Sequence, residues 1–209
     1  MRLHQPLDQI LDSSAKVRIL RFLSLKGGEW SGRRIAAQMK LHPVTAHAAL
    51  KELHEATILD FGRMGNSFIY SLKEEHYLVR EVLKPLFEQE TNAKERLLEL
   101  FRQRLESGLK SEILSAAVYG SVERHQERPT SDVDLLVLVP SEQAKQKVEH
   151  ALDRLWEKVS REFGNPLSIY VKTLRQARQD IQRRLPVLEN ILRHHEMILG
   201  TPLKEILHT

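Results

Sequence analysis

Residues 113–140 read ILSAAVYGSVERHQERPTSDVDLLVLVP, and their order decides the fold of the second half of the chain. Ile113 to Tyr119 is a short apolar strand candidate that ends in Gly120-Ser121. Ten residues follow, Val122 to Ser131, before Asp132-Val133-Asp134 opens the apolar run Leu135 to Val139. A glycine and a small hydroxyl residue after a strand let backbone N–H groups come close to an anion, and a helix starting there would add its positive end. Gly120 and Ser121 are therefore a candidate phosphate seat. Asp132 and Asp134 lie two apart on the next strand, which puts both carboxylates on one face with their Cα atoms about 7 Å apart. Two anions aimed together want a cation. Mg²⁺ suits them because it takes oxygen ligands and commonly binds through one or two carboxylates plus substrate phosphates. A nucleoside triphosphate would complete its coordination.

This strand, Gly-Ser, spacer, Asp-x-Asp, strand order resembles the polymerase-β-type nucleotidyltransferases. The likeness is to the minimal nucleotidyltransferases and the antibiotic-modifying enzymes related to kanamycin nucleotidyltransferase, over roughly residues 95–200. The resemblance implies that Gly120 and Ser121 hold the triphosphate. It also implies that Asp132 and Asp134 are the catalytic pair, binding Mg²⁺ for attack on the α-phosphorus with release of pyrophosphate. One departure stands out. After a helix expected over Ser141 to Phe163, the next strand should be Leu167 to Val171, where active members carry a third carboxylate. No Asp or Glu occurs between Gly164 and Thr173; Ser168 and Tyr170 alternate onto the face where an acid is expected. Asp153, within the expected helix, and Glu162, ahead of the strand, are not obvious replacements. Losing a ligand of the nucleophile-side metal harms chemistry more than triphosphate binding. Two functions follow: a nucleotidyltransferase passing a nucleoside monophosphate to an acceptor, or a nucleotide-sensing transcriptional regulator with an impaired transferase domain.

The amino-terminal third has a different pattern. Ser13 and Ser14 can cap a helix carrying Val17, Ile19, Leu20, Phe22 and Leu23, which Gly27-Gly28 stops. Ser31 caps a short second helix through Ile35, Ala36 and Met39. Pro43 suits the first position of a third, which continues through Ala46, Ala49, Leu50 and Leu53. Ile58 to Phe61 and Ser67 to Leu72 are strand-like, joined by turn residues Gly62 to Asn66. Three helices and a glycine-bearing hairpin resemble the winged helix-turn-helix domains of bacterial and archaeal transcription regulators, over about residues 7–72. The resemblance makes Pro43 to Ala56 the recognition helix and Gly62 to Asn66 the wing tip. Thr45, His47 and Lys51 then face outward for DNA, and Arg33, Arg34 and Arg63 are placed for phosphates. The same hydrophobic pattern would also serve protein contacts.

The expected architecture is thus a two-domain α/β (α+β) chain: a winged helix at 1–72, a helical connector at 73–108 and a nucleotidyltransferase-like domain at 109–209. In the connector, Leu78, Val82 and Leu86 stack beside Val79, Leu83 and Phe87, followed by Leu97, Leu98, Phe101 and Leu105 after a break at Thr91-Asn92. Such a stripe must be covered, by the second domain or by a second copy. A homodimer is expected, because regulators of this kind pair on two-fold sites.

Charge and composition agree with this division. Lys and Arg number 32 against 28 Asp and Glu, and the resulting +4 lies in residues 1–72, which hold ten basic and six acidic residues. A basic excess there suits a polyanionic partner, duplex DNA, although ordinary surface scatter would also produce it. Without cysteine, disulfides, thiolate metal sites and thiol nucleophiles are excluded. The apolar run Leu135 to Val139 stops at Pro140, far short of the roughly 18 residues of a membrane span. Asp8 and Asp12 interrupt the place of a secretory signal, so the expected location is the cytoplasm. His194-His195-Glu196 reads as a surface pair near the end of a final helix, not as metal ligands. Arg175, Arg178, Arg183 and Arg184 read as a solvated helix face. Arg124, His125 and Arg128 read as a charged loop that could touch phosphate or an acceptor.

Overall fold

A computed structural model describes residues 3–120 and 131–208. The chain divides into two compact units, Met1–Ala93 and Lys94–Thr209.

In the first unit, α1 (Ser14–Lys26) starts where Ser13 Oγ accepts the Lys16 N–H at 3.3 Å. A two-residue strand β1 (Trp30–Ser31) leads into α2 (Gly32–Gln38), capped by Ser31 Oγ on the Arg34 N–H at 3.3 Å. Then come α3 (Pro43–Glu55) and the hairpin β2 (Leu59–Met64) and β3 (Ser67–Leu72). The sheet order is β1-β3-β2, all antiparallel, with Trp30 opposite Tyr70. This is the winged helix-turn-helix arrangement, and β1, too short to show a pattern, is the element the sequence hid. Ile19, Leu20, Leu50, Leu53 and Ile58 are fully buried in its core.

The stretch 73–108 is divided between the units. A π-helical segment Val79–Leu83 and α4 (Lys84–Thr91) belong to the first, where Leu78, Val79, Leu83 and Phe87 are buried with α1 and α3 residues. Leu78, Val79, Leu83 and Phe87 are thus covered within their own unit, while Val82 is partly buried and Leu86 stays 46% exposed. Asn92 closes α4, and α5 (Ala93–Leu109) gives Leu98, Phe101 and Leu105 to the core of the second unit.

The second unit is a mixed sheet between two helical layers. Strands β4 (Ser115–Tyr119) and β5 (Val133–Val139) are antiparallel, and β6 (Leu167–Thr173) runs parallel to β5. The long expected helix is two, α6 (Glu142–Leu152) and α7 (Leu155–Phe163), with Asp153 at the break. After β6 come α8 (Leu174–Gln182), α9 (Pro186–Arg193), β7 (His195–Gly200) and α10 (Leu203–His208), giving sheet order β6-β5-β4-β7. Val133, Leu135, Val137 and Val139 pack with α5, α6 and α7, while Leu136 and Leu138 pack with α8, α9 and α10. Burial on both faces explains why β5 reads as an unbroken apolar run. His195 does not end a helix: α9 stops at Arg193, and His195 opens the fourth strand. Nor is the arginine series wholly solvated, since Arg178 Nη2 donates to the Ile206 carbonyl at 2.9 Å. Among the described residues no helix is long and apolar enough to cross a membrane.

Phe87 is fully buried, so Phe87→Ala should cost about 3 to 5 kcal/mol in chemical denaturation monitored on the first unit. A change in oligomeric state without that loss would contradict the intrachain cover.

Candidate nucleotide site and nucleic-acid interface

The second-unit site forms where β4 and β5 meet. Tyr119 pairs with Asp134, and Gly120 follows with φ +83°, a left-handed conformation that favours glycine. A Cβ added to Gly120 would collide with the Asp134 carboxylate, so the missing side chain is the room that the carboxylate occupies. Asp134 is half-buried. Asp132 lies one residue before β5 and is exposed. Its neighbours are tied down on both sides: Asn165 Nδ2 donates to the Ser131 carbonyl at 3.0 Å, and the Val133 N–H donates to the Pro166 carbonyl at 2.8 Å. Ser121 lies outside the described residues, as do Arg124, His125 and Arg128.

The strand beside Asp134 has no acid. The parallel register sets Ser168 opposite Asp134 and Tyr170 opposite Leu136, so Ser168, Tyr170 and Lys172 share the Asp134 face. Below the carboxylate this face is a polar column. Burial, then the Asp134 charge and Tyr170, push the Tyr119 phenol up to about 12. Lys172 pairs with the buried Asp180 and lies 4.9 Å from the Tyr170 ring centre. Burial works against its charge, but the bonds to Asp180 and Tyr170 outweigh it and hold Lys172 above the ordinary lysine range. Tyr170 was already placed on this face by strand alternation, but Tyr119 and the Lys172–Asp180 pair were not legible as site residues, because only the register aligns them with Asp134.

The donor set fits one Mg²⁺ better than two. Asp132 and Asp134 can supply the one or two carboxylates that Mg²⁺ commonly takes, with phosphate oxygens and water completing the shell. Among the described residues no group of three or more acids or histidines could hold a metal.

In the first unit, Thr45, His47 and Lys51 are exposed on α3 as expected, but the charges around them are committed. Lys51 is 3.7 Å from Glu55, and Glu52 is 2.6 Å from Lys16. Lys16 is 4% exposed and also bonds Asp12 at 3.0 Å and the Gln9 carbonyl at 2.8 Å, so all three ammonium protons have acceptors. Arg33 and Arg34 are exposed at the start of α2, with the Arg34 guanidinium 5.1 Å from the Trp30 ring centre. Arg63 folds back onto the wing tip, donating to the Gly65 carbonyl at 3.1 Å and to Asn66 Oδ1 at 3.4 Å. Beside it, Phe61 and Phe68 are 45% and 50% exposed with ring centres 5.2 Å apart, an apolar wing surface that the alternation alone did not disclose.

Residues 94–194 match the family model described as a nucleotidyltransferase domain, and the match begins where the second unit begins. No curated protein matches the chain. Among solved structures, the transcriptional repressor BigR from Xylella fastidiosa is similar at 19% identity, over 40% of this chain and 82% of that one, with a TM-score of 0.35. The homodimeric winged helix-turn-helix DNA-binding domain of Mb0332 from Mycobacterium bovis is 21% identical over 43% and 76%, with a TM-score of 0.33. Spectinomycin adenyltransferase AAD(9) from Enterococcus faecialis, solved with ATP and spectinomycin, is 16% identical over 54% and 59%, with a TM-score of 0.42. The family match and the strand topology, rather than these partial likenesses, define the two units. Residues 94–194 of the second unit form a nucleotidyltransferase-type domain, and in the chain they follow the winged helix-turn-helix unit.

Proposed function

We propose that the chain is a DNA-binding regulator whose nucleotidyltransferase-type domain binds a nucleoside triphosphate with one Mg²⁺ and senses it without completing a two-metal transfer site. The observation that carries this reading is Ser168 in register with Asp134, where a third carboxylate would be needed. A bound Mg²⁺ would draw charge from the phosphate oxygens and offset the repulsion between the two carboxylates. Asp132 and Asp134 hold the ion, while Gly120 leaves the Asp134 carboxylate room beside the phosphate seat. The intact Gly120 and Asp pair also supports a second reading, transfer of a nucleoside monophosphate to an acceptor.

On the DNA side, α3 enters the major groove, with Thr45, His47 and Lys51 toward the bases. Arg33, Arg34 and Arg63 meet phosphates, and two copies read a two-fold site. The support is the winged topology together with the exposure of these side chains.

Mg²⁺ with a triphosphate at about 100 times its Kd should stabilise the chain by roughly 2.7 kcal/mol, and Asp132→Asn with Asp134→Asn should abolish that gain. No shift with any triphosphate would defeat both readings. If the shift occurs, Asp-dependent passage of α-label to an acceptor with pyrophosphate release would replace the sensor by the enzyme.

For DNA, Arg33→Ala, Arg34→Ala and Arg63→Ala together should weaken binding across sequences and lower the salt slope by about 2 to 3, because each lost phosphate contact releases fewer counterions. An unchanged slope in a salt series would assign the winged helix to protein contacts.

A further inference from the structure

Strand register draws one row of side chains across the whole second-unit sheet. Ser168 is opposite Asp134, Asp134 opposite Tyr119, and Tyr119 opposite His195. Directly opposed residues share a face. Met197, two residues beyond His195, packs in the same cluster as Leu136 and Leu138, which fixes that face as the one carrying Asp134. His195 therefore stands on the site face two strands from the carboxylate, roughly 10 Å across the backbone at about 5 Å per strand. A triphosphate seated at Gly120 reaches across such a gap.

Hydrogen bonding distinguishes the two ring nitrogens. Nδ1 lies 2.8 Å from the Ile191 carbonyl. A carbonyl only accepts, so Nδ1 carries a proton and donates. Among the described residues Nε2 has no protein partner. The adjacent acid does not compete for the ring: Glu196 alternates to the opposite face and is paired with Lys94 at 2.5 Å. The α9 carbonyl thus holds the imidazole by one nitrogen and leaves the other for a ligand.

We propose that His195 is a phosphate-binding residue of the nucleotide site, with Nε2–H donating to a triphosphate oxygen while the Ile191 carbonyl holds Nδ1. The proposal rests on the nucleotide-binding reading and adds to it a residue on a strand outside the Gly-Ser and Asp-x-Asp pattern. A hydrogen bond from Nε2–H to an anionic phosphate oxygen is charge-assisted.

Two amide variants separate ligand contact from structure. In His195→Asn the amide nitrogen takes the place of Nδ1 and keeps the bond to Ile191, but nothing replaces Nε2. In His195→Gln the amide nitrogen reaches the Nε2 position instead. Calorimetric titration of the full chain with ATP, GTP, CTP and UTP in Mg²⁺ should show His195→Asn melting as wild type. Every triphosphate that binds should be weakened about tenfold or more, a loss of about 1.4 kcal/mol. His195→Gln should bind within about threefold of wild type, since a donor remains where phosphate needs one. Wild-type affinity in His195→Asn would overturn the proposal. So would a fall in its melting temperature alongside the loss, which would assign His195 to structure. If wild type binds none of the four triphosphates, the nucleotide reading itself fails and this contact with it. A loss confined to one base would replace the phosphate contact by a base contact.

Discussion

The Asp134 carboxylate lies against the bare Cα of Gly120, and the rest of the candidate site depends on that approach. Because Tyr119 and Asp134 are paired across β4 and β5, the turn after β4 and the acid of β5 must share the same space. Only a residue without Cβ, in a left-handed conformation, leaves room for both. The buried sheet fixes the approach: β5 is packed on both faces, and a one-residue slip would exchange Leu136 and Leu138 with Leu135 and Val137 between two differently shaped cores and carry Asp134 to the opposite face. Placing a carboxylate at the edge of so apolar a layer costs free energy unless a partner or a cation offsets it.

The same packing explains how the face below the site differs from a two-metal centre. Where β6 would contribute an acid it contributes Ser168, then Tyr170 and Lys172, and the Lys172 charge is committed to Asp180. Phenols and an ammonium already paired with Asp180 give this face hydrogen-bond donors but no further carboxylate. In the winged unit a comparable commitment governs charge. Lys16 neutralises Glu52, leaving Arg33, Arg34 and Arg63, rather than α3 itself, to offer positive charge outward.

Much of this was legible in the sequence because it is local. Capping by Ser13 and Ser31, Pro43 at a helix start and the apolar run after Asp134 each follow from a few adjacent residues. The Gly62 to Asn66 turn is shorter than expected: Gly62, Arg63 and Met64 pair with β3 as part of β2, and only Gly65 and Asn66 turn. What escaped was set by partners distant in the chain. The strand β1 exists because Trp30 and Ser31 find Tyr70 and Ile69, and β7 because it aligns with β4. The two residues of β1 are too few for alternation to be read, and the six of β7, His-Glu-Met-Ile-Leu-Gly, do not alternate polar with apolar. Periodicity does not say which surface covers the Leu78 to Phe87 stripe; here α1 and α3 take Leu78, Val79, Leu83 and Phe87 and leave Leu86 exposed. In the site, the Asp pair and Gly120 were legible and His195 was not, because a helix-like run of Leu188, Ile191 and Leu192 leads up to it and only sheet pairing turns it inward.

In the proposed nucleotide site one cation sits on Asp132 and Asp134, and among the described residues no group of three or more acids or histidines could hold a metal. Titrating Mn²⁺ into the full chain saturated with a nonhydrolysable triphosphate, with bound ions counted by electron paramagnetic resonance, tests the single cation directly. The account predicts one tightly bound ion per chain, lost in Asp132→Asn with Asp134→Asn. Two ions held side by side with the triphosphate would contradict it, since Ser168 would then stand in a working two-metal centre.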